Sequence, residues 1–211
     1  MTYAPPQHVA SAGTTPAGLR ELLHVHGFLS RAEADDLFRH CLADLDWRQE
    51  RVRLFGREVD APRLSACHGQ PGLAYRYSGV TRRCAPWTAP LREAVATIGR
   101  RLGASFNFVL ANRYRDGADA VGWHADDERG MAPVIASVSL GAERAFRVRP
   151  REGGRSTALG LAHGDLVLMW GRCQRDFRHA VPRTRARVGV RVNLTLRRIG
   201  PPGVRTRASF T

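Results

Sequence analysis

The apolar positions of this chain recur with two periods, one helical and one of strands. Between Ser30 and Leu45, residues Leu37, Phe38, Cys41, Leu42 and Leu45 share a helical stripe, and Ser30-Arg-Ala-Glu33 ahead of them has the form of a capping box. A second stripe, Leu91, Val95, Ile98 and Leu102, begins after Thr88, a residue able to cap it, and stops at Gly103. From Ser105 the period drops to two, which predicts strands over 106–114, 134–140, 145–149, 166–170 and 188–198. Helices followed by strands predict an α+β fold with an antiparallel core. Residues 1–18, rich in Ala, Pro, Thr and Gly, read as a disordered tail, and 201–211 as a second tail. Between them, 19–104 and 105–200 are expected to form one compact domain, without internal repeats.

The final strand carries chemistry as well as pattern. Arg191, Asn193, Thr195 and Arg197 fall on one face, with Val192, Leu194 and Leu196 on the other. An apolar face belongs to the core, so the polar face is expected to line an interior site. Six residues of extended strand separate the two arginines by about 20 Å, so they would grip different ends of a bound acid. Asn112 and Tyr114 also share a face and offer hydrogen bonds to an anion.

Upstream, His124 and Asp126 stand in a His-x-Asp pair that one strand or its end would present together. His179 follows 55 residues later as a ligand that folding must deliver. Two imidazoles and a carboxylate suit Fe(II) with open positions, and no Cys-x-x-Cys pattern competes for zinc. Two other pairs compete for attention. His24-x-His26 has no downstream partner in the sequence and reads as structural. His163-Gly-Asp165 reads as a turn entering a strand, with Asp165 bonded to backbone.

Charge adds a polyanionic partner to this picture. The formal net charge is +14 and none of the 33 basic residues is lysine. A GC-rich genome accounts for the choice of arginine but not for the excess of positive charge. Cys41, Cys67, Cys84 and Cys173 have no paired spacing and read as reduced thiols rather than a disulfide framework. No apolar run approaches the roughly 20 residues needed to span a bilayer. A monomeric protein of the bacterial cytoplasm, associated with the nucleoid and not with membrane, is therefore expected.

At this point the motifs match a known pattern. NRYRDGADAVGWHADDE, PVIASVSLGAERAFRVR, LAHGDLVLMWGRCQRDFRHAVPRT and RVNLTLR resemble, in order and spacing, the AlkB family of Fe(II)- and 2-oxoglutarate-dependent dealkylating dioxygenases. The resemblance extends from about Val52 to Ile199. It implies a double-stranded β-helix, or jelly roll, with His124, Asp126 and His179 holding iron. It also implies that Asn112, Tyr114, Arg191, Asn193, Thr195 and Arg197 hold 2-oxoglutarate, Arg191 at the distal carboxylate. The activity implied is oxidative removal of N-methyl groups from 1-methyladenine and 3-methylcytosine, consuming dioxygen and 2-oxoglutarate and releasing succinate, carbon dioxide and formaldehyde.

Residues 51–79 resemble the homologues that act on duplex DNA, in the hairpin around Phe55-Gly56-Arg57, in Pro62-Arg63 and in Tyr75-Arg-Tyr77-Ser-Gly79. By that resemblance Phe55 is a wedge entering the base stack, and Tyr77 and His124 sandwich the extruded base. Tyr75 and Asp127 would touch its edge or its sugar-phosphate. The interval from Asp126 to His179 is shorter than in the mammalian duplex-acting forms, which leaves single strands and RNA or transfer RNA open as substrates. Two readings outside nucleic-acid demethylation stand beside this one. A non-enzymatic nucleic-acid binder would not need the iron ligands, and an oxygenase acting on protein or lipid would not need the hairpin and tyrosines.

Overall fold

The computed structural model describes residues 3–54, 57–77, 80–128 and 130–200; at 52–54, 74–77 and 80–82 the description is of backbone only. Helices α1 (Gln7–Ala12), α2 (Arg31–Asp44), α3 (Ala89–Leu102) and α4 (Cys173–Asp176) accompany a mainly antiparallel set of strands. The large sheet is built from β1 (Gly13–Thr14), β2 (Leu22–Val25), β3 (Arg48–Leu54), β4 (Arg57–Gly69), β7 (Ala85–Pro86), β8 (Phe108–Tyr114), β10 (Ile135–Gly141), β13 (Leu166–Met169) and β15 (Arg191–Arg197). Its order is β1-β2-β13-β10-β15-β8-β4-β3, with β7 added in parallel to β4. A smaller sheet has the order β12-β11-β14-β9, from β12 (Thr157–Leu161), β11 (Arg144–Pro150), β14 (Phe177–Val181) and β9 (Val121–His124). The hairpin of β5 (Ala74–Tyr77) and β6 (Val80–Arg83) stands apart as a two-stranded unit.

Alternation decides what each face of the large sheet covers. Val109 and Ala111 on β8, Ala136, Val138 and Leu140 on β10, and Val192, Leu194 and Leu196 on β15 form one apolar cluster with Leu37 and Cys41 of α2 and with Leu91, Val95, Ile98 and Leu102 of α3. The opposite face meets the small sheet, where Tyr114, Ile135, Val167 and Met169 pack with Phe146, Val148, Leu161 and Val181. Two sheets closed face to face with helices outside one of them make the jelly-roll core expected of an α+β chain. All seven residues of β15 are buried, because apolar and polar faces alike have a layer against them.

The caps follow the sequence in part. Ser30 Oγ accepts from Glu33 N and Glu33 Oε2 accepts from Ser30 N, completing the capping box of α2. Gly103 ends α3 in the left-handed region (φ 58°), which glycine enters without a Cβ clash. Thr88 occupies the N-cap position of α3 but does not cap with its side chain; the hydroxyl instead lies 2.7 Å from His40 Nε2 on α2. A tertiary partner has replaced the local one.

Two other expectations are corrected. Residues 3–18, read as part of a disordered tail, contain α1 and β1, because Tyr3 and Val9 supply buried apolar anchors and Tyr3 donates to Leu102 O at 2.9 Å. Strands do not wait for residue 105: β2 to β7 precede α3, and β2 and β4 belong to the same sheet as the later strands. The four cysteines are free thiols, and two of them meet in the fold. Cys67 on β4 and Cys84, just before the parallel partner strand β7, share a thiol hydrogen bond that lowers the pKa of Cys67 and raises that of Cys84.

Candidate active site

Two elements of the small sheet and one loop bring the three iron-ligand candidates together. His124 is the last residue of β9 and is the register partner of His179 on β14, so strand pairing alone sets the two imidazoles side by side, 4.3 Å between ring centroids. Asp126 follows just beyond the strand end, held by its backbone N–H, which donates to Gln174 Oε1 of α4 at 2.8 Å. Its Oδ1 lies 3.8 Å from His124 Nε2 and its Oδ2 lies 3.6 Å from His179 Nε2. These donor atoms all fall within 4.8 Å of one another.

The protonation states suit a metal. His124 Nδ1 lies 2.8 Å from Gly122 O, a bond that places the proton on Nδ1 and leaves Nε2 as the free donor. Burial, reinforced by His179 alongside, pulls the His124 pKa down to about 4, so the ring is neutral at pH 7. Burial alone would raise the pKa of Asp126; Arg197, whose Nη2 lies 2.6 Å from Oδ1, and the His179 hydrogen bond reverse this and keep it a carboxylate far into acid. Phe146 stacks on His179 at 5.2 Å and fixes its ring plane.

The large sheet supplies the other wall. Arg63, Asn112, Tyr114, Asn193, Thr195 and Arg197 line the same cavity as the triad. Hydrogen bonds join them into a lattice: Arg63 Nε and Ser65 Oγ donate to Asn112 Oδ1, Ser137 Oγ to Asn193 Oδ1, and Asn193 Nδ2 to Thr195 Oγ1, all at 2.9–3.0 Å. Arg191 lies beside this lattice, 1% exposed, its guanidinium 5.2 Å from the Tyr114 ring centre. Nη2 donates to Ser139 Oγ and Asn193 Oδ1, while Nε and Nη1 are buried with no hydrogen-bond partner. Among the described residues no carboxylate forms an ion pair with it.

A buried guanidinium with orphaned N–H groups carries a desolvation cost that an anion would remove. The donor chemistry of Arg191 therefore fits one end of a small dicarboxylate. Two imidazoles and a carboxylate fit iron. The fold brings His124, Asp126, His179, Asn112, Tyr114, Asn193, Thr195 and Arg197 to one cavity, with Arg191 hydrogen-bonded to Asn193 beside it. Arg197 sits at the other end of β15, as its spacing requires, but its guanidinium is engaged by Asp126 and Glu128. It orients an iron-ligand candidate in this structure.

A model of the 2OG-Fe(II) oxygenase superfamily matches residues 21–197. The chain belongs to that superfamily. Mouse "DNA oxidative demethylase ALKBH2" is 39% identical over 184 residues, covering 81% of this chain and 77% of its own length. Human "Alpha-ketoglutarate-dependent dioxygenase alkB homolog 3" is 36% identical over 199 residues, covering 89% and 69%. These relatives place the chain in the AlkB family of dioxygenases, and Fe(II), 2-oxoglutarate and dioxygen are its cofactor and co-substrates. In fold, the chain resembles "The structure of OsALKBH1" with a TM-score of 0.61 at 17% identity, over 88% of this chain and 99% of that one.

The residues singled out for nucleotide contact divide into three groups. Phe55 and Gly56 lie outside the described residues, between Leu54 and Arg57, which close the β3–β4 pairing. Tyr75 and Tyr77 belong to β5, described in its backbone only. Arg57 is exposed at the start of β4, Asp127 is exposed and ion-paired with Arg151, and Arg63 is buried inside the cavity against Asn112. Sequence reasoning missed Gln174, Ser137 and Ser139. The serines share the alternation of β10 with Ile135, a signal available from the sequence; Gln174 sits in a four-residue helix with no periodicity to read.

Proposed function

We propose that this dioxygenase demethylates N-alkylated bases in DNA, with 1-methyladenine and 3-methylcytosine as substrates. Similarity over about four-fifths of the chain to relatives named as DNA oxidative demethylases carries the substrate class. The net charge of +14 supports a polyanionic partner. In this reading His124, Asp126 and His179 hold Fe(II), which with dioxygen and 2-oxoglutarate supplies the oxidising chemistry. Arg191 neutralises the distal carboxylate of the co-substrate, and Asn112, Tyr114, Asn193 and Thr195 orient it by hydrogen bonds. Arg197 keeps Asp126 ionised and aimed. The chain's own work is positioning, since no side chain is required to move a proton.

The substrate enters from the side of His124, the most exposed of the three ligands at 27% against 8% and 7% for His179 and Asp126. Methylated bases that pair poorly cost less to extrude from a duplex, which favours them at such a mouth. Phe55 acts as the wedge, Tyr77 stacks on the base opposite His124, and Tyr75, Arg57, Arg63 and Asp127 contact its surroundings. The reading extends to a monomer in a bacterial cytoplasm. Mass spectrometry of methylated DNA and RNA oligonucleotides, single and paired, incubated with Fe(II), ascorbate and 2-oxoglutarate tests it. Loss of methyl groups from DNA is expected; demethylation confined to RNA moves the assignment to an RNA or transfer-RNA demethylase, and succinate formed with no loss from any oligonucleotide overturns it.

A further inference from the structure

A second set of metal-type ligands lies outside the active site, among residues that the sequence pattern marks as structural. His24 and His26 have no partner nearby in sequence, yet the fold brings Asp165 to both. We propose that His24, His26 and Asp165 form a binding site for a divalent transition metal, separate from the iron centre.

The geometry carries this. His24 Nε2 lies 2.9 Å and His26 Nδ1 3.4 Å from the same oxygen, Asp165 Oδ2, and the two rings are 4.0 Å apart. Ligand atoms bound at about 2.1 Å from one ion, at angles between octahedral and tetrahedral, stand about 3.0–3.4 Å from one another. The observed spacings match that range more closely than the 3.8 and 3.6 Å of the iron-ligand triad do.

The hydrogen-bond count points the same way. Asp165 Oδ1 accepts from Gly27 N, and Oδ2 accepts from Ala162 N, so two backbone amides fix the carboxylate and leave one lone pair of Oδ2 facing the rings. His24 Nε2 hydrogen-bonds to that lone pair at 2.9 Å, and His26 Nδ1 stands 3.4 Å from the same oxygen, so both imidazoles converge on it. A single cation shared by both nitrogens and the oxygen satisfies all three, and protonating both rings instead would set two positive charges in contact. A donor set of two imidazoles and one carboxylate selects zinc, cobalt, nickel or ferrous ions over magnesium or calcium. Asp165 is the turn residue before β13 and His24 is the register partner of Val167, so a bound ion would clasp β2 to the start of β13. His26, with its side chain 68% exposed, leaves the remaining coordination positions open to water.

Cobalt(II) is the probe, because its visible bands report coordination directly. The full chain carrying His124→Ala and His179→Ala, which removes the iron centre, is expected to bind one equivalent of cobalt and to melt at a higher temperature with zinc. Adding His26→Gln, an exposed substitution that leaves the fold intact by circular dichroism, should take the stoichiometry from one to none and abolish the shift. In the otherwise unaltered chain, His26→Gln should remove one equivalent of two and leave demethylation unchanged. Failure of the iron assignment would appear as an unaltered count in His124→Ala, a different result. No cobalt in the iron-site variant, or an equivalent that survives His26→Gln, overturns the second site.

Discussion

Single side chains decide whether the cavity can do chemistry. Arg191 is the least replaceable, since its charge is buried, and two of its N–H groups await an acceptor. Charged hydrogen bonds are worth about 1.5–3 kcal/mol, so Arg191→Met is expected to weaken 2-oxoglutarate binding about 10- to 150-fold with iron binding retained. Titrating the co-substrate against succinate formation checks this, and an unchanged KM would remove Arg191 from the co-substrate site. Gln174 touches no reacting group but holds the Asp126 backbone. Gln174→Leu should therefore lower Fe(II) affinity by about 10–100-fold, the usual loss when a group that orients a ligand is removed, and retain the 2-oxoglutarate affinity of the iron-loaded enzyme. Iron titration followed by co-substrate titration separates the two. The His124–Asp126 pair and the shared polar face of Arg191, Asn193, Thr195 and Arg197 were legible from residue types at fixed spacing, and the role of Arg191 followed from the family resemblance. Gln174 was not legible, because its role depends on a contact with a residue 48 positions away.

Elements are held by their buried faces more than by their ends. Leu91 and Ile98 on α3 are fully buried against β-strands of the large sheet, and Leu91→Ala should cost about 2–5 kcal/mol of stability, measured by denaturant unfolding. Thr88→Ala should cost less than a lost cap normally does, since the hydroxyl bonds to His40 and not to the helix. At the start of α2, the Arg101 hydrogen bond and the capping-box bonds from Ser30 hold the Glu33 pKa down to about 2, below its usual 4.5. A depressed carboxylate stabilises above its unfolded pKa and loses that contribution as pH falls toward its folded one. Glu33→Gln should accordingly lower the melting temperature at pH 6 and lose this deficit as the pH approaches 2; a constant deficit would assign the effect to packing. The stripes of α2 and α3 and the alternation of β15 were readable because each period is local. Strand β14 was not predicted, and β9 was anticipated only as the strand end that presents His124 and Asp126. Each is short, and β14 mixes Arg178 and His179 into an apolar run.

The whole molecule combines a jelly roll, a ligand-lined mouth and a large positive charge. If that charge meets phosphates, affinity for unmethylated DNA should fall about a hundredfold between 50 and 200 mM salt for four neutralised phosphates. A flat salt dependence would detach the charge from the substrate. By itself the sequence determined the α+β class, the His124–Asp126 pair and the polar face of the last strand, because periodicity and donor chemistry are properties of neighbouring residues; the jelly roll and the full ligand set came from the family resemblance that its motifs carry. Only the tertiary structure decided which distant groups meet. It paired His179 with His124 across two strands, turned Arg197 onto Asp126, set Cys67 beside Cys84, and delivered Asp165 to His24 and His26. Those contacts depend on sheet order and register, which are fixed by long-range packing that no local pattern encodes.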